Sequence, residues 1–241
     1  MIRKLSAALI AASCLTAGMA SAADKPLVKL ATLAPAKSPW GKVFTAWKDK
    51  VAKETNGAVD VQWLWNGTAG PESSMVGKIK SGQITGAAIT AVGLSAIHKP
   101  IVALQMPGAF KTWGELDKAR EALRPDFDKA IAAEGFYVSG WGDVGIAHTM
   151  SNGFEIVHPE DLKGKSPAVI AQDIIGPKVY ETIGGITPKP ADVIEILPLL
   201  NAKSLNVLAA PSLAAEQLQW ASQLDHINTG IVSFGVGATV L

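Results

Sequence analysis

Cysteine is all but missing from this chain: Cys14 is the only one among 241 residues. It falls inside an N-terminal leader, so the mature protein is expected to hold no disulfide, no cysteine-ligated metal and no thiol nucleophile. An excess of either charge is missing too. There are 22 basic and 21 acidic residues, which excludes the basic footprint that nucleic-acid partners leave. Beyond the leader no apolar run is long enough to span a bilayer. Catalytic signatures are equally scarce. There is no Walker loop and no dinucleotide fingerprint, and Gly93-Leu94-Ser95-Ala96-Ile97 lacks the closing glycine of a nucleophile elbow. His98, His148, His158 and His226 are not spaced as a zinc pair, and Glu72, Asp143 and Asp173 stand alone, as surface acids do. The expectation is a non-enzymatic protein without a cofactor.

What is present starts with residues 1–22. Arg3 and Lys4 precede an apolar stretch from Leu5 to Thr16, and Ala20-Ser21-Ala22 forms a small-x-small cleavage site. This is the pattern of a cleaved export signal. A membrane anchor needs a longer apolar run, and a lipid-attachment signal ending at Cys14 fits only loosely. Roughly 219 residues then remain, enough for one large domain or two small lobes.

Those residues alternate between strand and helix. LVKLATLAP reads as a buried strand ending at Pro35. Ser38 can cap the next helix, with Pro39 at its first position. Trp40, Val43, Phe44, Trp47 and Val51 recur at helical spacing until Asn56-Gly57. Val59, Val61, Trp63 and Trp65 alternate as one face of a strand, which Asn66-Gly67 turns. A helix over 73–81 and a strand over ITGAAIT follow. Such order implies a mostly parallel sheet with helices on its faces. Thr112 to Ala133 reads as one or two helices, broken at Pro125.

GFYVSGWGDVGIAHTM is long for one strand and carries Gly140, Gly142 and Gly145, marks of bends in a strand that crosses between lobes. A second unit follows: strand near 166–170, helices near 177–183 and 192–200, strand near 204–209, helix 211–222. HINTGIVSFGVGATVL reads as a return crossing that reaches Leu241 without a turn, so further sequence is expected after it. The expected organisation is leader 1–22, first lobe 23–142, second lobe 143–228 and a return strand 229–241 into the first lobe. Three of the seven tryptophans, Trp65, Trp141 and Trp220, are candidates to line an interlobe cleft, with core packing as the competing use.

LATLAP with SPWGKVFTAWKDKVAKETNG, then NGTAGPESSMVGKIKSGQI, then HPEDLKGKS carry a resemblance. In order and spacing they are similar to the solute receptors of TRAP (tripartite ATP-independent periplasmic) transporters of the dicarboxylate-receptor type. The resemblance runs from about Leu27 to Leu241. It implies an α/β, two-lobed periplasmic-binding-protein fold with crossing strands, and a small-molecule ligand enclosed by hinge closure. It also implies delivery to membrane permease subunits, and a C-terminal helical part that this chain lacks. In the family, DLKG leads into a strand whose arginine clamps a ligand carboxylate through two parallel hydrogen bonds. Here that position is Ala168, followed by Val169 and Ile170. Where a Val-Asp-Gly-Gln-Glu-Asn-Pro run is common, this chain has LNVLAAP: Asn206 replaces the acid, and Ala209 and Ala210 replace polar side chains.

A buried carboxylate without a cation costs several kcal/mol. The expectation is therefore an apolar or weakly polar ligand held by Trp65, Trp141, Ala168, Val169, Ile170, Leu208, Ala210 and Trp220. Asn66, Thr90, Gln172 and Asn206 would supply the orienting hydrogen bonds. The alternatives are a small organic acid neutralised by Lys165 or Lys178, or a periplasmic carrier or sensor with no permease.

Overall fold

The computed structural model describes residues 25–241; the leader falls outside them. The first lobe begins with β1 (Leu27–Thr32), α1 (Pro39–Glu54), β2 (Asp60–Leu64), α2 (Glu72–Lys80), β3 (Gly86–Thr90) and the short α3 (Ala91–Leu94). β1 lies between β2 and β3, parallel to both. Ser38 caps α1, its Oγ accepting from the Gly41 N–H at 3.1 Å. α1 covers one sheet face, where Leu30, Val61 and Trp63 pack with Phe44, Trp47 and Val51. Val43 departs from the expected apolar stripe and is 66% exposed, because the sheet meets a narrower arc of the helix. α2, α3 and α4 (Trp113–Ala133) cover the other face. α4 runs unbroken through Pro125; Leu116, Phe127 and Ile131, buried on both sides of the proline, hold it against the sheet.

β4 (Val138–Ser151) then leaves the first lobe for the second. There the chain forms β5 (Ala168–Ile170), α5 (Gly176–Ile183), β6 (Lys189–Ala191), α6 (Val193–Asn201), β7 (Val207–Pro211) and α7 (Ser212–Gln217). β6, a three-residue strand containing Pro190, is not legible in sequence; its parallel pairing with β5 at the sheet margin tolerates a residue without an N–H. The expected helix 211–222 is split in two, since Gln219 adopts a left-handed φ of 63°.

β8 (His226–Val240) returns, antiparallel to β4 along nearly its whole length. The large sheet therefore runs β2-β1-β3-β8-β4-β7. One end of the β4–β8 pair belongs to the first lobe through β3, the other to the second through β7. Register shifts interrupt the pair, one of them between Asp143 and Gly145. Gly145 has φ +141°, and a Cβ there would lie 3.1 Å from the Cβ of Pro211. A side chain would be both strained and crowded.

Candidate functional site

The lobes meet where the ends of several strands face one another. Leu33, just past β1, and Pro71 and Glu72, at the start of α2, form the first-lobe wall. Ile170 and Gln172, at the end of β5, and Asp192, Val193 and Ile194, at the start of α6, form the opposite wall. Strand ends in α/β lobes leave such crevices by construction. The space between the walls is about 10 Å³, room for about one water molecule. Direct contact explains its size. A Cβ on Gly67 would lie 2.8 Å from Ile194 Cγ2 and 3.1 Å from Leu33 Cδ2, so the lobes touch through Leu33, the Gly67 turn and Ile194. Trp40 of α1 also packs against the second lobe's hydrophobic cluster.

Glu72 is the least expected member. It reads in sequence as a surface acid, yet it is 7% exposed. Its Oε1 accepts from the Thr90 N–H at 2.8 Å, and its Oε2 from the Thr90 hydroxyl at 2.6 Å and the Gly93 N–H at 3.0 Å. Burial pushes its carboxyl above the ordinary range, outweighing those three donors, which pull it down. Asp192 forms a capping box with Glu195 at the start of α6 and accepts from Gln172 Nε2 at 3.2 Å. Among the described residues the wall thus carries two carboxyl groups, one amide and five apolar residues, and no lysine, arginine or histidine.

Of the residues expected from sequence, Ile170 and Gln172 line the cleft, and Thr90 reaches it through Glu72. The three tryptophans do not converge. Trp65 stacks on Trp63 at 5.5 Å and on Phe44 at 6.4 Å, on the α1 face of the sheet. Trp141 packs on the opposite face beside Phe127 and donates to Asp128 Oδ1 at 3.3 Å. Trp220 is buried in the second-lobe core with Leu208, Ala210 and Ala168. Strand alternation turns Val169 away from these, towards Tyr180 and Val207. Asn206 acts as a structural tie, its Oδ1 accepting from the Ser166 N–H at 2.9 Å. Asn66 occupies the left-handed turn beside Gly67, with φ 57°.

Leu33, Pro71, Glu72, Asp192, Val193 and Ile194 were missed. The signal that could have found them is positional, because each follows a strand end or opens a helix on the crevice side. The other candidate acids are also accounted for. Asp143 pairs with Arg120, and Asp173 accepts the N–H groups of Ile175 and Gly176 at the start of α5. The proposed alternative cations lie elsewhere: Lys165 sits over the Phe154 ring at 3.9 Å, and Lys178 pairs with Glu181.

Two α/β lobes, two long crossing strands and a crevice at the strand ends define a two-lobed binding-protein architecture. The chain belongs to bacterial extracellular solute-binding protein family 7 (DctP), whose model matches residues 30–217. A TRAP periplasmic solute-binding protein from Polaromonas sp. JS666, bound to D-erythronate, shares the fold with a TM-score of 0.83 and 18% identity, over 90% of this chain and 71% of that one. A second, from Sulfurospirillum deleyianum with bound succinate, gives 0.83 and 16%, over 90% and 69%. In sequence, a solute-binding protein from Chromohalobacter salexigens is 22% identical over 155 residues, 64% of this chain and 46% of that relative. The match thus spans less than half of the relative's length.

Proposed function

We propose that this chain is an extracytoplasmic solute receptor of a TRAP-type transporter that encloses a neutral, apolar or weakly polar solute between its lobes and passes it to membrane permease subunits. Family membership and the shared fold support the receptor role. The ligand class rests on one observation, the absence of any cationic side chain from the cleft wall among the described residues. The similar solved proteins hold D-erythronate and succinate, which are anions. Here an anion would meet the Asp192 carboxylate and no cation among the described residues, and Ala168, where the resemblance expects an arginine, is packed in the second-lobe core with Leu208, Ala210 and Trp220. Bringing a carboxylate into such a wall costs several kcal/mol. Leu33, Ile170, Val193 and Ile194 would supply apolar contact at about 25 cal/mol per Å², and Gln172 a hydrogen bond.

Native mass spectrometry of the purified protein tests this directly, because a co-purified molecule identifies its own class. A neutral species is the expected result. Intrinsic tryptophan fluorescence gives a second test: succinate and erythronate should leave the emission unchanged. Saturable quenching by either acid, abolished in Lys165→Ala, would overturn the ligand class and favour the organic-acid alternative, with the receptor fold intact.

A further inference from the structure

A second concavity lies on the first lobe, on the far side of the 66–70 turn from the cleft. It is a groove of about 260 Å³, open to solvent, between the β1–β2 margin of the sheet and α2. Its floor is Leu64, Ala69 and Ile84. Lys29, Gln62, Thr68, Lys78 and Gln83 stand around it. Strand register places Lys29 directly opposite Gln62, so their side chains emerge together on the α2 face.

The pairing of these groups is incomplete. Lys78 Nζ donates once, to the Ala69 carbonyl at 2.7 Å, leaving the other protons of its ammonium. Neither Lys29 nor Lys78 has a carboxylate within 4.0 Å among the described residues, and the Gln62, Gln83 and Thr68 side chains make no hydrogen bond to them. Asp60, opposite Leu27 on the same face, forms no ion pair with either lysine. Both lysines are only partly exposed, so their charges are less screened than those of free surface lysines. Lys29 also interrupts a strand whose neighbours Leu30 and Ala31 are fully buried.

We propose that this groove is a binding site for a small oxyanion, a phosphate or a compact carboxylate, separate from the interlobe cleft. Two ammonium groups supply the charge, and two amides and a hydroxyl supply directed hydrogen bonds. The groove is larger than a free anion, so it has room for the anion alone or for one as the terminal group of a larger molecule. The 66–70 turn forms the wall between groove and cleft, through the Ala69 carbonyl on one side and the Gly67–Ile194 contact on the other.

Inorganic phosphate is the probe. It should be titrated at constant ionic strength against chloride, with binding followed by ¹H–¹⁵N spectra of the whole protein. Saturable shifts are expected at the amides of Thr68, Ala69 and Gln83, with Ile170 and Gln172 unmoved. Lys29→Ala and Lys78→Ala should each raise the phosphate dissociation constant by roughly tenfold, as expected for a charged hydrogen bond. Lys111→Ala, which removes an exposed charge elsewhere, should not. Lys29→Gln serves as a second variant that removes the charge but keeps a polar side chain one atom shorter, and it should weaken phosphate binding as Lys29→Ala does. Shifts that chloride reproduces, or that persist in the Lys29→Ala/Lys78→Ala double variant, would overturn the site. Shifts confined to Ile170 and Gln172 would overturn it as well, placing phosphate in the cleft instead.

Discussion

At Glu72 two forces oppose each other. Three donors favour the carboxylate, while nearly complete burial favours the neutral acid and prevails. Its folded value is raised above the ordinary 4.5, so between 4.5 and the raised value the folded state holds more protons than the unfolded one. The stability contributed by this group is fully present below pH 4.5, is lost as pH rises through that window, and is flat above it. Melting temperatures measured from pH 4 upwards on the wild type and on Glu72→Gln should show the wild type losing ground to the variant as pH climbs. The opposite trend would mean that the donors at Thr90 and Gly93 win. Spacing gives no hint of this residue's burial. Glu72 is buried because β3 delivers Thr90, and α3 delivers Gly93, to the start of α2.

Among elements, α4 sets the position of the crossing strand. Arg120, 13% exposed at its side chain, joins Asp117 on its own helix to Asp143 on β4, both at 2.5 Å. Trp141 ties the same strand to Asp128 two turns further on. Beyond Asp143 the register shifts and Gly145 follows, so the first-lobe half of β4 is anchored up to the point where its pairing with β8 becomes irregular. Arg120→Ala should lower stability by about 1–2 kcal/mol, seen as a lower urea midpoint with an unchanged slope. Arg120→Lys should recover part of the loss. Equal midpoints for wild type and Arg120→Ala would reduce the pair to a solvated surface contact. The elements themselves were largely legible: the Ser38 cap, the Trp63 alternation and both glycine-marked crossings stand as read. β6 and the uninterrupted α4 were not, because β5 pairing and core packing override the local preferences of Pro190 and Pro125.

For the whole molecule, the question is what keeps the lobes together. Gly67 and Ile194 meet so closely that a methyl group at residue 67 has no room. Gly67→Ala should therefore cost about 1–2 kcal/mol, partly through its left-handed backbone, and should increase the radius of gyration in small-angle scattering by parting the lobes. Adding Ile194→Ala should restore compactness while leaving the backbone cost. If Gly67→Ala is as compact as wild type, the contact is too slack to govern closure.

Local chemistry written along the chain determined the alternation of strands and helices, the caps and turns, the two crossings and the lack of a cation at residue 168. These depend on near neighbours, whose spacing is the sequence itself. Apart from Ile170 and Gln172, the cleft wall was decided only by the fold. Whether an alternating strand turns Trp141 to the core or to the crevice, and which strand end Leu33 or Ile194 faces, depends on the pairing of β4 with β8 and on the approach of two lobes more than a hundred residues apart in sequence. Periodicity can say that a side chain is on one face, but the partner covering that face is supplied by tertiary packing.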